Sequence, residues 1–245
     1  MSKLCIVVPT YNEAENIPKL IMEIEKVLWT RDFMLVVVDD NSPDKTAQIA
    51  DKLHKVYGNI VVLRRSKKFG LGSALTEGLR FALAMDDVER IVTLDGDLSH
   101  SPNEIPRLLC AAEKADLVQG SRYVESGNIN GWVLSRRLLS RVANLVCRLF
   151  FRTFIHEHTG NFRVYSRKCA EAVVKYTSCK GFEWVVEAMF VARKYGFTVK
   201  EVPISFSDRH NGKTKLKALD VASWAIFVAR NVFSQFTSVV RFVKR

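Results

Sequence analysis

The sequence predicts one α/β domain built on a mostly parallel central sheet flanked by helices, and three observations carry that prediction. Short apolar runs without polar alternation recur along the first half of the chain, helix-spaced apolar patterns separate them, and a polar or glycine-containing loop follows each run. A strand that is apolar at every position is buried on both faces, as in a parallel sheet covered by helices.

The elements follow in order. Leu4 to Val8 reads as the first strand. In the helix after it, Ile17, Leu20, Ile21, Ile24, Val27 and Leu28 trace one stripe, and Pro18 falls in the first turn, where a missing N–H does no harm. Strands at Met34 to Val38 and Ile60 to Leu63 precede helices at Thr46 to Val56 and Ser73 to Ala84, and further strands are expected at Ile91 to Leu94 and Leu117 to Val118. From about residue 132 the pattern becomes a helix bearing Arg136, Arg137, Arg141, Arg148 and Arg152, with Leu138, Val142, Leu145 and Leu149 on its other face. Helical stretches around Ala170 to Tyr176 and Trp184 to Tyr195 lead to a last strand at Thr198 to Val202. Without a linker, repeat or low-complexity tract, residues 1–216 read as one domain and residues 217–245 as a separate basic segment.

Composition narrows the function classes. A 245-residue chain that is 48% hydrophobic supports a sizeable core. The excess of 37 basic over 26 acidic residues, a net +11, favours a polyanionic partner: nucleic acid, an anionic membrane surface or a phosphorylated substrate. Five cysteines without a CxxC pair suggest neither a disulfide framework nor a zinc knuckle, and point to a reduced compartment. The N-terminus enters its first strand too soon for a signal peptide, so the chain is expected not to be secreted. In the 217–245 segment, the uncharged runs Val221 to Ala229 and Asn231 to Val240 are shorter than the roughly 18–20 residues of a membrane span, which favours amphipathic interfacial helices.

The chemistry is expected in the loops at the strand carboxyl ends. Asp95 and Asp97 follow an apolar strand with Gly96 between them, so both carboxylates project to one side. Mg²⁺ or Mn²⁺ prefers oxygen ligands and takes one or two protein carboxylates, leaving positions for phosphate oxygens. A surface turn is the competing reading of Asp-Gly-Asp. Glu13 and the Asp39-Asp40 pair at neighbouring strand ends favour a site, because like charges held together need a cation or hydrogen bonds to offset their repulsion. Arg64, Arg65, Lys67 and Lys68 precede Gly70-Leu71-Gly72, a basic loop opening a helix and suited to an anion. His156 and His158 are spaced for a metal, but as loop residues without evident partners they read as solvated. No Ser-His-Asp arrangement stands out.

Eight segments in order resemble the polyprenyl-phosphate sugar synthases of the family 2 glycosyltransferases, most closely the dolichol-phosphate mannose synthases. They are Val8-Pro9-Thr10-Tyr11-Asn12-Glu13, Val38-Asp39-Asp40-Asn41-Ser42-Pro43-Asp44, Gly70-Leu71-Gly72, Asp95-Gly96-Asp97-Leu98-Ser99-His100, Gly120-Ser121-Arg122-Tyr123, Ser140-Arg141-Val142-Ala143-Asn144, Glu201-Val202-Pro203-Ile204 and residues 208–216. The resemblance implies a GT-A nucleotide-diphospho-sugar transferase fold and transfer of mannose from GDP-mannose to dolichyl or another polyprenyl phosphate, with inversion.

By position in those motifs, Pro9, Tyr11, Glu13, Val38 and Asp40 would surround the base and ribose. Asp95, Gly96 and Asp97 would hold metal and diphosphate, with Arg122, Arg209 and Lys215 on phosphate groups. Arg136 and Arg141 would meet the lipid phosphate, and Asp97, Arg122 and Arg209 would carry catalysis. The chain departs from the family at Thr159-Gly160-Asn161-Phe162-Arg163, after Glu157-His158, and at Thr214. The implied setting is the cytoplasmic face of a membrane, with a small membrane-anchoring subunit as a further partner and no nucleic acid. A UDP-glucose-dependent glucosyltransferase is the nearest alternative, a sugar nucleotidyltransferase a more distant one, and a nucleic-acid-binding protein rests on charge alone.

Overall fold

The structure, a computed structural model, describes residues 3–208 together with Trp224 and residues 226–228. Strands β1 (Lys3–Thr10), β2 (Phe33–Asp39), β3 (Ile60–Arg64) and β4 (Val88–Thr93) are joined by helices α1 (Ile17–Val27), α2 (Thr46–Tyr57) and α3 (Leu71–Leu83). A 3₁₀ turn (Pro102–Glu104) and α4 (Ile105–Ala112) lead to β5 (Leu117–Ser121) and β6 (Asn128–Asn130). Then come α5 (Leu134–Phe150), β7 (Arg163–Ser166), α6 (Arg167–Tyr176), α7 (Trp184–Lys194), β8 (Val199–Pro203) and β9 (Ser205–Ser207).

Seven strands form one sheet in the order β3-β2-β1-β4-β7-β5-β8, and β6 pairs with β9 in a small parallel ribbon. All pairings in the main sheet are parallel except those of β7, which runs antiparallel between β4 and β5. Residues alternate between two cores: Ile6, Val8, Leu35 and Val37 face one, under α1, α2 and α4, while Cys5, Val7, Val36 and Val38 face the other, under α3, α6 and α7. The apolar strands are therefore buried on both sides, as the sequence predicted. Four elements went unpredicted: α4, β6, β7 and β9.

Helix α5 differs from the others. Only Asn144 and Cys147 are buried along it. Its apolar stripe, which the amphipathic pattern would ordinarily assign to a core, faces solvent: Leu134, Leu138, Val142, Leu145 and Leu149 are exposed. Cys147 packs with Val186, Phe227 and Val228 in a third small cluster, so part of the C-terminal segment rests against α5 and α7. The rest of the amphipathic-helix expectation for residues 217–245 lies outside the described residues. No helix among the described residues is long and apolar enough to cross a membrane.

Candidate active site

The loops after β1, β2, β3 and β4 converge on a cleft of about 240 Å³ lined by Pro9, Thr10, Tyr11, Glu13, Asp40, Lys68, Gly70, Leu71, Ala74, Asp95, Gly96, Asp97, Gly181 and Phe182. Seven predicted nucleotide-sugar residues thus share one wall system: Pro9, Tyr11, Glu13, Asp40, Asp95, Gly96 and Asp97.

The Asp-Gly-Asp triplet is a turn and a site at once. The Asp97 carboxylate accepts hydrogen bonds from Ser99 N at 3.1 Å and Ser99 Oγ at 2.6 Å. These close the turn in which Leu98 adopts a left-handed φ of 61°, a conformation that costs a non-glycine residue roughly 1–2 kcal/mol. Leu98 is held there by burial in the first core. Asp95 is more open, its side chain about a third exposed (34%), and it accepts from Asn161 Nδ2 at 3.1 Å. A Cβ on residue 96 would lie 3.2 Å from Thr10 Cγ2 and 3.4 Å from the Pro9 carbonyl, so glycine lets the triplet lie flat on the β1 loop.

Behind Asp95, His100 is buried against Phe162 and Phe206, with Nδ1 at 3.8 Å from Asp95 Oδ2. Burial lowers its pKa and so favours neutral imidazole. No group of three or more His, Cys, Asp or Glu is placed to hold a metal ion by itself among the described residues. Two carboxylates on one cleft wall match the donor set a hard cation uses when phosphate oxygens complete its shell, so Asp95 and Asp97 fit a divalent metal.

The acidic residues at the end of β2 already have partners. Asp39 accepts from Thr10 Oγ1 at 3.1 Å, Ser42 N at 2.9 Å and Ser42 Oγ at 2.5 Å. Asp40 pairs with the buried Arg65 at 2.6 Å and accepts from the amides of Phe69 and Gly70. Hydrogen bonds and Arg65 thus supply the offset that the sequence pattern called for, so this pair by itself gives no argument for a metal. The basic loop also divides: Arg64 pairs with Asp51, Arg65 with Asp40 and Glu77, and Lys68 reaches the cleft, its Nζ 3.8 Å above the Tyr11 ring.

A second cavity, of about 450 Å³, lies at the end of β5 and along α5. Arg122, Tyr123, Arg141, Asn144, Arg148 and His156 are among its lining residues. Arg122 is buried, and its guanidinium binds Glu157 through Nε (2.7 Å) and Nη2 (2.8 Å). Burial alone would raise the Glu157 carboxyl pKa, but Arg122 outweighs it and holds the group below the ordinary carboxylate range. Tyr123 donates from its hydroxyl to Ser140 Oγ at 2.6 Å, or accepts from it.

Several sequence expectations are revised by these positions. Val38 does not line the cleft: its side chain is in the second core against α3, because successive strand residues alternate faces. Arg122 does not line the cleft with Asp95 and Asp97: it is ion-paired to Glu157 and forms a wall of the second cavity. Arg136 and Arg141 separate, Arg141 lining the second cavity while Arg136 pairs with Asp208 at 3.0 Å and stacks over Trp132. His158 is not solvated: it is fully buried, and neither ring nitrogen has a partner among the described residues. His156 binds Glu201 at 3.0 Å. Arg209 and Lys215 lie outside the described residues. Gly181, Phe182 and Arg148 were missed; the turn before α7 and the last turn of α5 carry no motif.

Residues 5–174 match glycosyl transferase family 2. The chain belongs to this family. It is 35% identical over 231 residues to polyprenol monophosphomannose synthase of Mycolicibacterium smegmatis, covering 90% of this chain and 86% of that one. Undecaprenyl-phosphate mannosyltransferase of Micrococcus luteus is 33% identical, with 93% of each chain covered. Among solved structures, glucosyl-3-phosphoglycerate synthase from Mycobacterium tuberculosis in complex with Mn²⁺, UDP and phosphoglyceric acid superposes with a TM-score of 0.67 at 16% identity, covering 95% of this chain and 78% of that one. Mannosyl-3-phosphoglycerate synthase from Rubrobacter xylanophilus gives 0.63 at 17% identity, covering 98% and 75%. The fold is thus GT-A-like, and the chain is a glycosyltransferase.

Proposed function

We propose that this glycosyltransferase moves mannose from GDP-mannose to dolichyl or another polyprenyl phosphate, with inversion, on the cytoplasmic face of a membrane. The observation that carries the reading is the pairing of an acidic cleft with a separate cationic cavity that opens beside an exposed apolar helix. The names of the two bacterial relatives support a polyprenyl phosphate acceptor and a mannosyl donor.

In this reading the nucleotide lies along the loops of β1 to β3, with its diphosphate at Asp95 and Asp97. Asp95 and Asp97 would hold a Mg²⁺ or Mn²⁺ ion, which would supply charge neutralisation for the departing diphosphate. Arg141 and Arg148 hold the lipid phosphate, while Glu157 keeps Arg122 oriented at the boundary of the two sites. A phosphate monoester with a second pKa near ~6 is largely dianionic at neutral pH, so the acceptor needs no strong general base. Positioning two anions and stabilising the leaving group then suffice. The α5 stripe gives the polyprenyl chain and the membrane an apolar surface, and a small anchoring subunit would find the same helix.

Incubation with GDP-mannose or UDP-glucose, Mg²⁺ or Mn²⁺ and a polyprenyl phosphate tests the reading. Mannolipid formed from GDP-mannose is the expected product. Glucolipid from UDP-glucose alone would reassign the donor, and pyrophosphate release from a nucleoside triphosphate without lipid product would replace the reaction class.

A further inference from the structure

The donor cleft has a wall that no strand-end loop supplies. Gly181 and Phe182 line it from the turn before α7, far along the chain from the other lining residues. This turn is locked onto the glycine loop that follows β3: Gly72 N donates to Gly181 O at 3.2 Å and Ser73 N to Lys180 O at 3.1 Å. A Cβ on Gly70, whose φ is +103°, would meet Lys180 O at 2.6 Å, and one on Gly72 would meet Trp184 Cβ at 2.3 Å. The two segments touch backbone to backbone because both glycines lack a side chain.

The turn is also fixed from its own side. Glu187 accepts from Ser178 N, Ser178 Oγ and Cys179 N at 2.8–3.0 Å, and Glu183 accepts from Gly181 N at 3.2 Å. Trp184 Nε1 donates to Thr177 Oγ1 at 3.0 Å. A rigid turn therefore presents Phe182, half-buried, to the cleft. Phe182 belongs to neither large core among the described residues. Two aromatic rings line the cleft, and the Lys68 ammonium covers a face of Tyr11. Phe182 meets no other ring or cation among the described residues.

Sheet order decides which end of the cleft this wall serves. The strands run β3-β2-β1-β4, so Asp95 and Asp97 after β4 and Gly70 after β3 mark opposite ends. With the diphosphate at the β4 end, the β3 end receives the nucleoside. We infer that the Gly181-Phe182 turn is the nucleobase wall of the donor site and that the Phe182 ring sets base affinity and the preference for purine over pyrimidine by stacking. The inference rests on the donor-cleft reading above.

Titration of the full chain with GDP and with UDP in the presence of Mg²⁺, without acceptor, separates the two. For Phe182→Leu, which keeps apolar bulk but loses the aromatic face, GDP affinity is expected to fall about 5- to 30-fold. UDP affinity should fall less, since a pyrimidine offers a smaller face, and Phe182→Trp should restore GDP binding. In turnover, the donor KM should rise while the acceptor KM stays. Unchanged GDP affinity in a Phe182→Leu protein with the wild-type unfolding temperature overturns the inference and leaves the cleft reading intact. Failure of the wild-type chain to bind either nucleotide overturns the cleft reading itself.

Discussion

Arg122 and Glu157 share two hydrogen bonds in a fork-to-carboxylate pair withdrawn from water, their side chains 6% and 0% exposed. A guanidinium so bound is a fixed charge whose direction is set before any ligand arrives. Replacing one partner leaves the other charge buried and uncompensated, so Glu157→Gln should destabilise the fold by about 3–5 kcal/mol. In an Arg122→Met background the same change should cost much less. Urea unfolding of the two single variants and the double variant measures the coupling, and additive losses would contradict it.

Asp97 calls for a more careful substitution than alanine, because its carboxylate also closes the turn through Ser99. Asp97→Asn keeps an acceptor for those bonds and removes the charge. Turnover should fall at least about 100-fold, with weaker Mn²⁺ binding and an unchanged unfolding temperature. Equal turnover across a Mn²⁺ titration would remove Asp97 from the metal site.

The exposed stripe on α5 yields a membrane prediction free of folding artefacts, since Leu138 and Leu145 contribute little to any core. Leu138→Asp and Leu145→Asp should each weaken co-sedimentation with anionic vesicles about tenfold or more while leaving thermal unfolding unchanged. Sedimentation identical to wild type would assign the stripe to a protein partner.

Acid stability should report on His158. Burial, and then the positive charge of Arg163, push its pKa from the ordinary 6.5 down to about 4. The folded state therefore prefers the neutral ring. The sign follows: its contribution is complete above pH 6.5 and is lost as pH falls toward 4, because the unfolded chain takes up the proton first. Glu157 differs, being a carboxylate whose stabilisation is lost only in more acid solution. A shift of this size is on the order of 3 kcal/mol. In His158→Phe, stability between pH 6.5 and pH 4.5 should flatten; an unaltered slope there would assign the acid sensitivity to other groups.

Much of this was legible in the sequence where burial leaves a direct trace. The parallel strands announced themselves because Ile6, Val7 and Val8, or Val36, Val37 and Val38, must be apolar on both faces. Strand β7 left no such trace: it is short and opens on Arg163, a fully buried cation whose guanidinium is satisfied by Gln119 and by the carbonyls of His158 and Val185. Helix α4 was hidden by Pro102 and Pro106, which read as loop residues but occupy first-turn positions. For α5 the helix was readable and its environment was not, since periodicity locates an apolar face without saying what covers it. At the site, the carboxylates stood at strand ends and could be ordered by position, whereas Gly181 and Phe182 arrive through a tertiary contact.

The stretch from Glu157 to Asn161 joins a lining residue of each cavity, gripping Arg122 at one end and Asp95 at the other. In the proposed reaction it would act as a length gauge between donor and acceptor. One inserted residue would lengthen it by up to about 3.3–3.6 Å, as much as the roughly 3–3.5 Å that separates atoms poised to react. Replacing Glu157 or Asn161 would release one grip each, whereas an insertion or deletion between them would move the two contacts relative to one another.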